Sequence, residues 1–255
     1  MNLVNPVGVL YYFQYNFGRF LKVSMKPYNV CFLGFGNVGR ALARLLALKS
    51  QELQEGYGIE WRITGLATRS RGWLARPDGF EVPAVIGQDS SADNPLRSTG
   101  IVEWLQLARP DVVFETTSLN HETGQPAIDY LTAALQAGCH VISANKGAVV
   151  HGYEELTRRA AAAGKRYFFE SSELDSAPVF SLFREALPAV KLRGFSGVFN
   201  STSNVILETM EAGRCCEVGV KTARELGVTA TDPSHDIEGW DATVKLCALA
   251  RVLKN

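Results

Sequence analysis

The stretch Tyr28–Leu48, YNVCFLGFGNVGRALARLLAL, decides the fold. Val30 to Leu33 is a short apolar run, and Gly34, Gly36 and Gly39 follow in G-x-G-x-x-G spacing. Val38, Leu42, Leu45 and Leu46 then recur at helical period, so the order is strand, glycine turn, helix. Each glycine has its own task. The first permits a tight turn, the second lets backbone approach a pyrophosphate, and the third allows close strand–helix packing. The N–H groups that open such a helix have no partner within it and suit phosphate, which places Asn37 and Val38 beside the glycines as cofactor-binding positions.

Working outward, WRITGLATR (Trp61–Arg69) is the next strand. A site selecting NAD carries an acid near the end of this strand to hold the ribose hydroxyls. Here Arg69 and Arg71 occupy that region and no acid does. A guanidinium fork binds phosphate, so NADP(H) is favoured, with NAD(H) as the other cofactor considered. DVVFETTS is a buried strand ending in Thr116, Thr117 and Ser118, and HVISANKG is another, delivering Asn145 and Lys146 at its C-terminal end. Ligands bind at that edge of open parallel sheets. ETGQPAIDYLTAALQAG and YEELTRRAAAAGKR read as helices on either side of HVISANKG.

The pattern continues with RYFFESS and KLRGFSGVF as strands and with DSAPVFSLFREAL, NSTSNVILETMEAG and EVGVKTARELG as helices. In TDPSHDIEGWDATVKL, Asp-Pro marks a turn. Ile237, Trp240, Val244 and Cys247 then recur at helical steps, and Asp241 and Lys245 share a helical face. The expected architecture is α/β: a Rossmann-type doubly wound parallel sheet followed by a smaller α+β substrate domain. Residues 25–151 are expected to form the dinucleotide-binding domain and residues 152–255 the substrate domain. Residues 1–24 are expected to be a leader or a poorly ordered arm.

Composition narrows the function classes. Lysine plus arginine equals aspartate plus glutamate, 26 each, which gives no basis for binding nucleic acid or an anionic membrane through net charge. The five cysteines are scattered with no C-x-x-C pair, so neither a disulfide framework nor a zinc site is expected and a cytoplasmic protein fits. A small molecule is the expected partner, with a homodimer left open.

Four segments in order, LGFGNVGRALARLL, ETTSLNHETGQPAIDYLTAALQAGCHVISANKG, GVFNSTSNVILETM and ARELGVTATDPSHDIEGWDATVKL, resemble homoserine dehydrogenases. The resemblance runs from about Tyr28 to the C-terminus. It is most specific in Gly227, Asp232, Pro233, Asp236, Gly239, Asp241 and Lys245. It implies NAD(P)H-linked interconversion of aspartate 4-semialdehyde and L-homoserine. It also implies Lys245 as the proton-transferring lysine, Lys146 as a second lysine facing substrate and nicotinamide, and Asp236 and Asp241 as residues that bind substrate or orient the lysines. Asn200, Thr202 and Asn204 are implied to line the pocket.

Three departures stand out. The family's amine-contacting glutamate, two residues before Asp-Pro, is Ala230 here. The family's glycine-rich stretch reads SSELDSAP, which leaves its monovalent-cation site in doubt and offers Glu173 and Asp175 as replacement contacts for a substrate amine. The family also continues past the equivalent of Asn255, so the substrate domain is expected to be incomplete at its C-terminus. The alternatives are a related NADP-dependent dehydrogenase of another small hydroxy acid or aldehyde, or a dinucleotide-binding fragment without catalysis. Retention of both Lys146 and Lys245 argues against the fragment.

Overall fold

The computed structural model describes residues 27–87, 94–173, 177–229 and 234–254. The expectation for residues 1–24 lies outside this set, as do those for Asp175, Ala230, Asp232 and Pro233.

The first strand, β1 (Tyr28–Leu33), is buried from Asn29 onward. Its side chains alternate between two cores. Val30 and Phe32 pack with Phe35, Ile63, Leu66 and Val85 on one face, while Cys31 and Leu33 pack with Trp104, Leu131, Val149 and Leu156 on the other. A strand covered on both faces reads as a continuous apolar run, the signature of a central strand in an α/β sheet.

Six strands join it: β2 (Trp61–Thr68), β3 (Gly72–Ala75), β4 (Leu96–Ser98), β5 (Val112–Glu115), β6 (His140–Ser143) and β7 (Tyr167–Phe168). Their order across the sheet is β4-β3-β2-β1-β5-β6-β7. Strands β1, β2, β5, β6 and β7 run parallel, and β3 and β4 add an antiparallel edge. The chain winds one way from β1 to β2 and the other way to β5. The crevice between β1 and β5 is therefore the switch point at which doubly wound sheets take their ligands. The sheet extends to Phe168, past the 25–151 span expected for the nucleotide domain.

Among the described residues six helices belong to this part: α1 (Asn37–Leu48), α2 (Ser50–Tyr57), α3 (Val82–Gly87), α4 (Ile101–Ala108), α5 (Ala127–Gln136) and α6 (Lys146–Ala162). The turn into α1 depends on Gly34. It has φ +82°, and a Cβ there would sit 2.5 Å from the Thr116 carbonyl oxygen, so any side chain would force the ends of β1 and β5 apart.

After β7 come a 3₁₀ turn (Glu170–Ser172), a short helical turn (Val179–Ser181) and a π-helical segment (Leu182–Ala186). The Glu170 carboxylate accepts the Phe180 and Ser181 N–H groups at 2.9 and 3.0 Å and so caps this turn. Among the described residues four helices follow: α7 (Ser201–Glu211), α8 (Cys216–Glu225), α9 (Ser234–Ile237) and α10 (Trp240–Leu253). Helix α10 lies on α6, places Ala248 and Leu249 in the main core and adds an Arg251–Glu154 ion pair at 3.7 Å.

Two details differ from the sequence expectation. KLRGFSGVF carries no ladder: Gly194 and Gly197 interrupt it, and the described chain brings no strand beside it. In RYFFESS only Tyr167 and Phe168 pair, because the chain turns into the 3₁₀ turn at Glu170.

Candidate active site

The switch-point crevice is a cleft of about 780 Å³ lined by Gly34, Gly36, Arg40, Thr68, Arg69, Arg71, Thr116, Thr117 and Ser118, among others. The glycine turn suits a dinucleotide. Nothing lies within 4 Å of the position a Cβ would take at Gly36, which also caps α1 with no side chain of its own. Backbone at this point is open to an approaching phosphate. Asn37 and Val38 are exposed at the start of α1, and Gly39 is buried. A Cβ at Gly39 would lie 3.1 Å from the Gly34 carbonyl oxygen, in keeping with its packing role. Arg69 is exposed, whereas Arg71 is half-buried and its N–H donates to Thr68 Oγ1 at 3.0 Å.

A second group of polar side chains stands at the C-terminal ends of β5 and β6. Asn145 caps α6 by accepting the Gly147 N–H at 3.0 Å. Lys146 is the first residue of that helix. Its Nζ lies 3.3 Å from Asp241 Oδ1, while Lys245 Nζ lies 2.9 Å from Asp241 Oδ2. Lys245 also donates to the Phe199 carbonyl at 2.9 Å. The three side chains are 17–22% exposed, so the charges meet largely out of solvent.

Asn200 extends the group. Its Nδ2 donates to Asp236 Oδ1 at 2.8 Å and to Asp241 Oδ2 at 3.0 Å, and its Oδ1 caps α7 by accepting the Ser203 N–H at 2.8 Å. Burial raises the pKa of Asp241. The hydrogen bonds from Asn200 and Lys245 and the charges of Lys146 and Lys245 outweigh it and hold the carboxyl below its ordinary range.

Glu173 completes the set. It is only 5% exposed, and among the described residues neither carboxyl oxygen has a hydrogen-bond partner. Burial pushes its pKa up to about 8, against the pull of Lys146 and Lys245 and with a further push from Asp241.

Two family models divide the chain between them: "Homoserine dehydrogenase, NAD binding domain" matches residues 34–170 and "Homoserine dehydrogenase" matches residues 178–255. The chain belongs to the homoserine dehydrogenase family. It is 32% identical to a homoserine dehydrogenase of Methanocaldococcus jannaschii over 87% of its own length and 68% of that protein. It is 31% identical to an NAD(+)-dependent homoserine dehydrogenase of Pseudomonas canavaninivorans over 90% of its length and 67% of that protein. A hyperthermophilic archaeal homoserine dehydrogenase solved in complex with NADPH superposes with a TM-score of 0.74 at 27% identity, covering 89% of this chain and 70% of that one. The chain thus spans about two thirds of the length of these relatives, and membership makes it an NAD(P)-dependent oxidoreductase. No helix among the described residues is long and apolar enough to cross a membrane.

Most of the residues expected to act together do meet. Lys146, Lys245, Asp241, Asp236 and Asn200 form one connected group, and Thr116, Thr117, Arg69 and Arg71 line the cleft. Two are engaged elsewhere. Thr202 is buried and donates to the Val228 carbonyl at 2.8 Å, and Asn204 turns along its helix to Glu208 at 2.7 Å. Sequence reasoning passed over Arg40, one turn into α1, where its helical register with the glycine turn was the available signal. It also passed over His121, whose ring lies tilted against Trp240 with centroids 4.6 Å apart.

Proposed function

We propose that this chain reduces aspartate 4-semialdehyde to L-homoserine, and reverses that reaction, with NADP(H) preferred over NAD(H). The observation that carries the proposal is the convergence of Lys146 and Lys245 on Asp241 beside the cleft wall. NADP(H), when bound, supplies the hydride. Gly34, Gly36, Asn37, Val38 and Gly39 would hold its pyrophosphate at the start of α1, with Thr116, Thr117 and Asn145 along the wall. Arg69 and Arg71 would meet a 2′-phosphate. Relatives of both cofactor types exist, since one is named NAD(+)-dependent and another was solved with NADPH. The two arginines support the NADP(H) side.

Reduction of an aldehyde builds negative charge on its oxygen. An ammonium held at that oxygen stabilises the charge and delivers a proton. Lys245 is assigned the proton transfer in both directions. Asp241 orients it and pairs with Lys146, which faces the polar end of the substrate. Asn200 holds Asp236 and Asp241 together, leaving Asp236 Oδ2 for substrate. Glu173 is assigned the substrate's ammonium: a buried carboxyl whose oxygens lack partners is costly until a cation arrives. The free thiols Cys31 and Cys139 lie buried, which supports a cytoplasmic location, and the balanced charge supports a small-molecule partner.

Lys245→Ala tests the assignment. Folding and NADPH binding should be kept while turnover falls by about 10²–10⁴, the usual worth of general acid–base catalysis. Turnover within a few-fold of the parent would sink it.

A further inference from the structure

Glu115 ends β5 with no exposed surface. A carboxylate in such a place is tolerated only when donors surround it. Its Oε1 accepts the Thr117 N–H at 2.9 Å and the Thr117 hydroxyl. Its Oε2 accepts the Ser143 hydroxyl at 2.6 Å. All three donors are uncharged. Two come from Thr117, in the loop that leaves β5, and one from Ser143, the last residue of the adjacent strand β6.

The links continue toward the lysines. Ser143 Oγ, having donated its proton to Glu115, accepts the Asn145 N–H at 3.0 Å. Asn145 caps α6 through Gly147 and points its amide at the Thr117 and Ser118 carbonyls at 3.5 and 3.4 Å. Lys146 is the next residue. A path of hydrogen bonds thus runs from the cofactor side of the crevice, where Thr117 and Ser118 form the wall, to the lysine that meets Asp241.

We propose that Glu115 is a positioning residue: it ties the C-terminal ends of β5 and β6 into one edge, so that the cleft wall and Lys146 keep a fixed separation. It touches neither cofactor nor substrate and acts through Thr117 and Ser143. Glutamate is specifically suited. Each of its oxygens accepts, whereas glutamine would turn an NH₂ toward Thr117 or Ser143 and leave that donor without its acceptor. The proposal rests on the role given to Lys146 above and extends it to a residue outside the reaction.

The experiment is a double-mutant cycle on the intact chain. Parent, Glu115→Gln, Lys146→Ala and the double variant are compared by NADPH oxidation under single-turnover conditions, with enzyme in excess of NADPH so that slow variants remain measurable. Thermal unfolding of each is recorded alongside. Glu115→Gln should lower the rate by about tenfold to a hundredfold, the scale on which an ångström of misplacement acts. In the Lys146→Ala background the same change should lower it by less than about twofold, because residues in one network do not contribute independently. A merely structural residue would slow both backgrounds alike, so equal losses overturn the proposal. So does a Glu115→Gln variant within about twofold of the parent. Should Glu115→Gln fail to fold, Ser143→Ala removes the link to β6 together with the acceptor of the Asn145 N–H, the next step of the same path, and carries the same cycle with the same two outcomes. Lys146→Ala at the parental rate would overturn both this proposal and the assignment of Lys146, whereas additive losses would overturn this one only.

Discussion

Lys146 and Asp241 meet at 3.3 Å across the junction between the nucleotide sheet and the helices that follow it. The lysine opens α6 at the ligand edge of the sheet, and the aspartate lies in the first turn of α10. Because Lys245 approaches the other oxygen of the same carboxylate, closing the two parts on each other is what assembles the charged group. Asp241 is held below the ordinary carboxylate range despite its burial. Its contribution to stability is therefore present above the ordinary pKa and is lost as pH falls through the lowered one. Asp241→Asn should remove this acid limb from a plot of thermal midpoint against pH. At neutral pH it should cost roughly 1–3 kcal/mol, the range for a hydrogen-bonded charged partner removed from a buried setting.

Glu173 yields a prediction of opposite sign. With its pKa pushed up to about 8 from an ordinary 4.5, the folded protein holds a proton there that the unfolded chain releases. This group therefore favours folding less as pH rises from the ordinary value toward the raised one. An ammonium bound beside it would drive that proton off. Calorimetric titration of L-homoserine into the NADP⁺ complex at pH 7, in two buffers of different ionisation enthalpy, should show release of up to about one proton. Glu173→Gln should abolish the release and raise KM for homoserine. Binding with no proton exchange in the parent would remove Glu173 from amine recognition.

Cofactor choice is expected to follow Arg69 and Arg71. Replacing both with alanine should weaken NADPH by roughly 1.5–3 kcal/mol, the range for a hydrogen bond to a charged group, and leave NADH nearly unchanged. Equal weakening of both cofactors, measured by fluorescence titration, would assign the arginines to the shared part of the dinucleotide or to the surface.

Asn200 joins a helix cap to two carboxylates. Asn200→Ala should cost about 1 kcal/mol for the cap alone and lower turnover by more than that loss explains, since Asp236 and Asp241 would then repel without a shared donor. Urea unfolding and steady-state kinetics of one preparation separate the two effects. A stability loss with parental kcat would make Asn200 a cap only.

The glycine turn was legible because the bends and close approaches it makes admit no other residue. The central strands were legible because burial on both faces leaves a continuous apolar run. Asp241 and Lys245 were visible as a pair from their four-residue spacing. Strands β3 and β4 were not seen, since they are short edge strands with little apolar pattern. The extended stretch before Asn200 has strand composition but no strand to pair with among the described residues, and pairing is a tertiary property. Glu173 stood out only as a departure from the resembled family's glycine-rich stretch, and nothing local signals that its carboxyl is buried. Glu115 was not singled out within its buried strand, because its donors come from the loop after β5 and from the last residue of β6, whose proximity exists only once β5 and β6 pair.

The most direct measurement compares kcat/KM of the purified chain, with NADPH, on aspartate 4-semialdehyde and on succinic semialdehyde, which has the same aldehyde and carboxylate but no amine. A pocket in which Glu173 awaits an ammonium and two lysines flank a reacting oxygen should favour the amino compound by at least about a hundredfold, because a site built around a polar group rejects the analogue lacking it. Equal or better turnover of succinic semialdehyde would contradict the assignment of aspartate 4-semialdehyde and L-homoserine as the substrate pair.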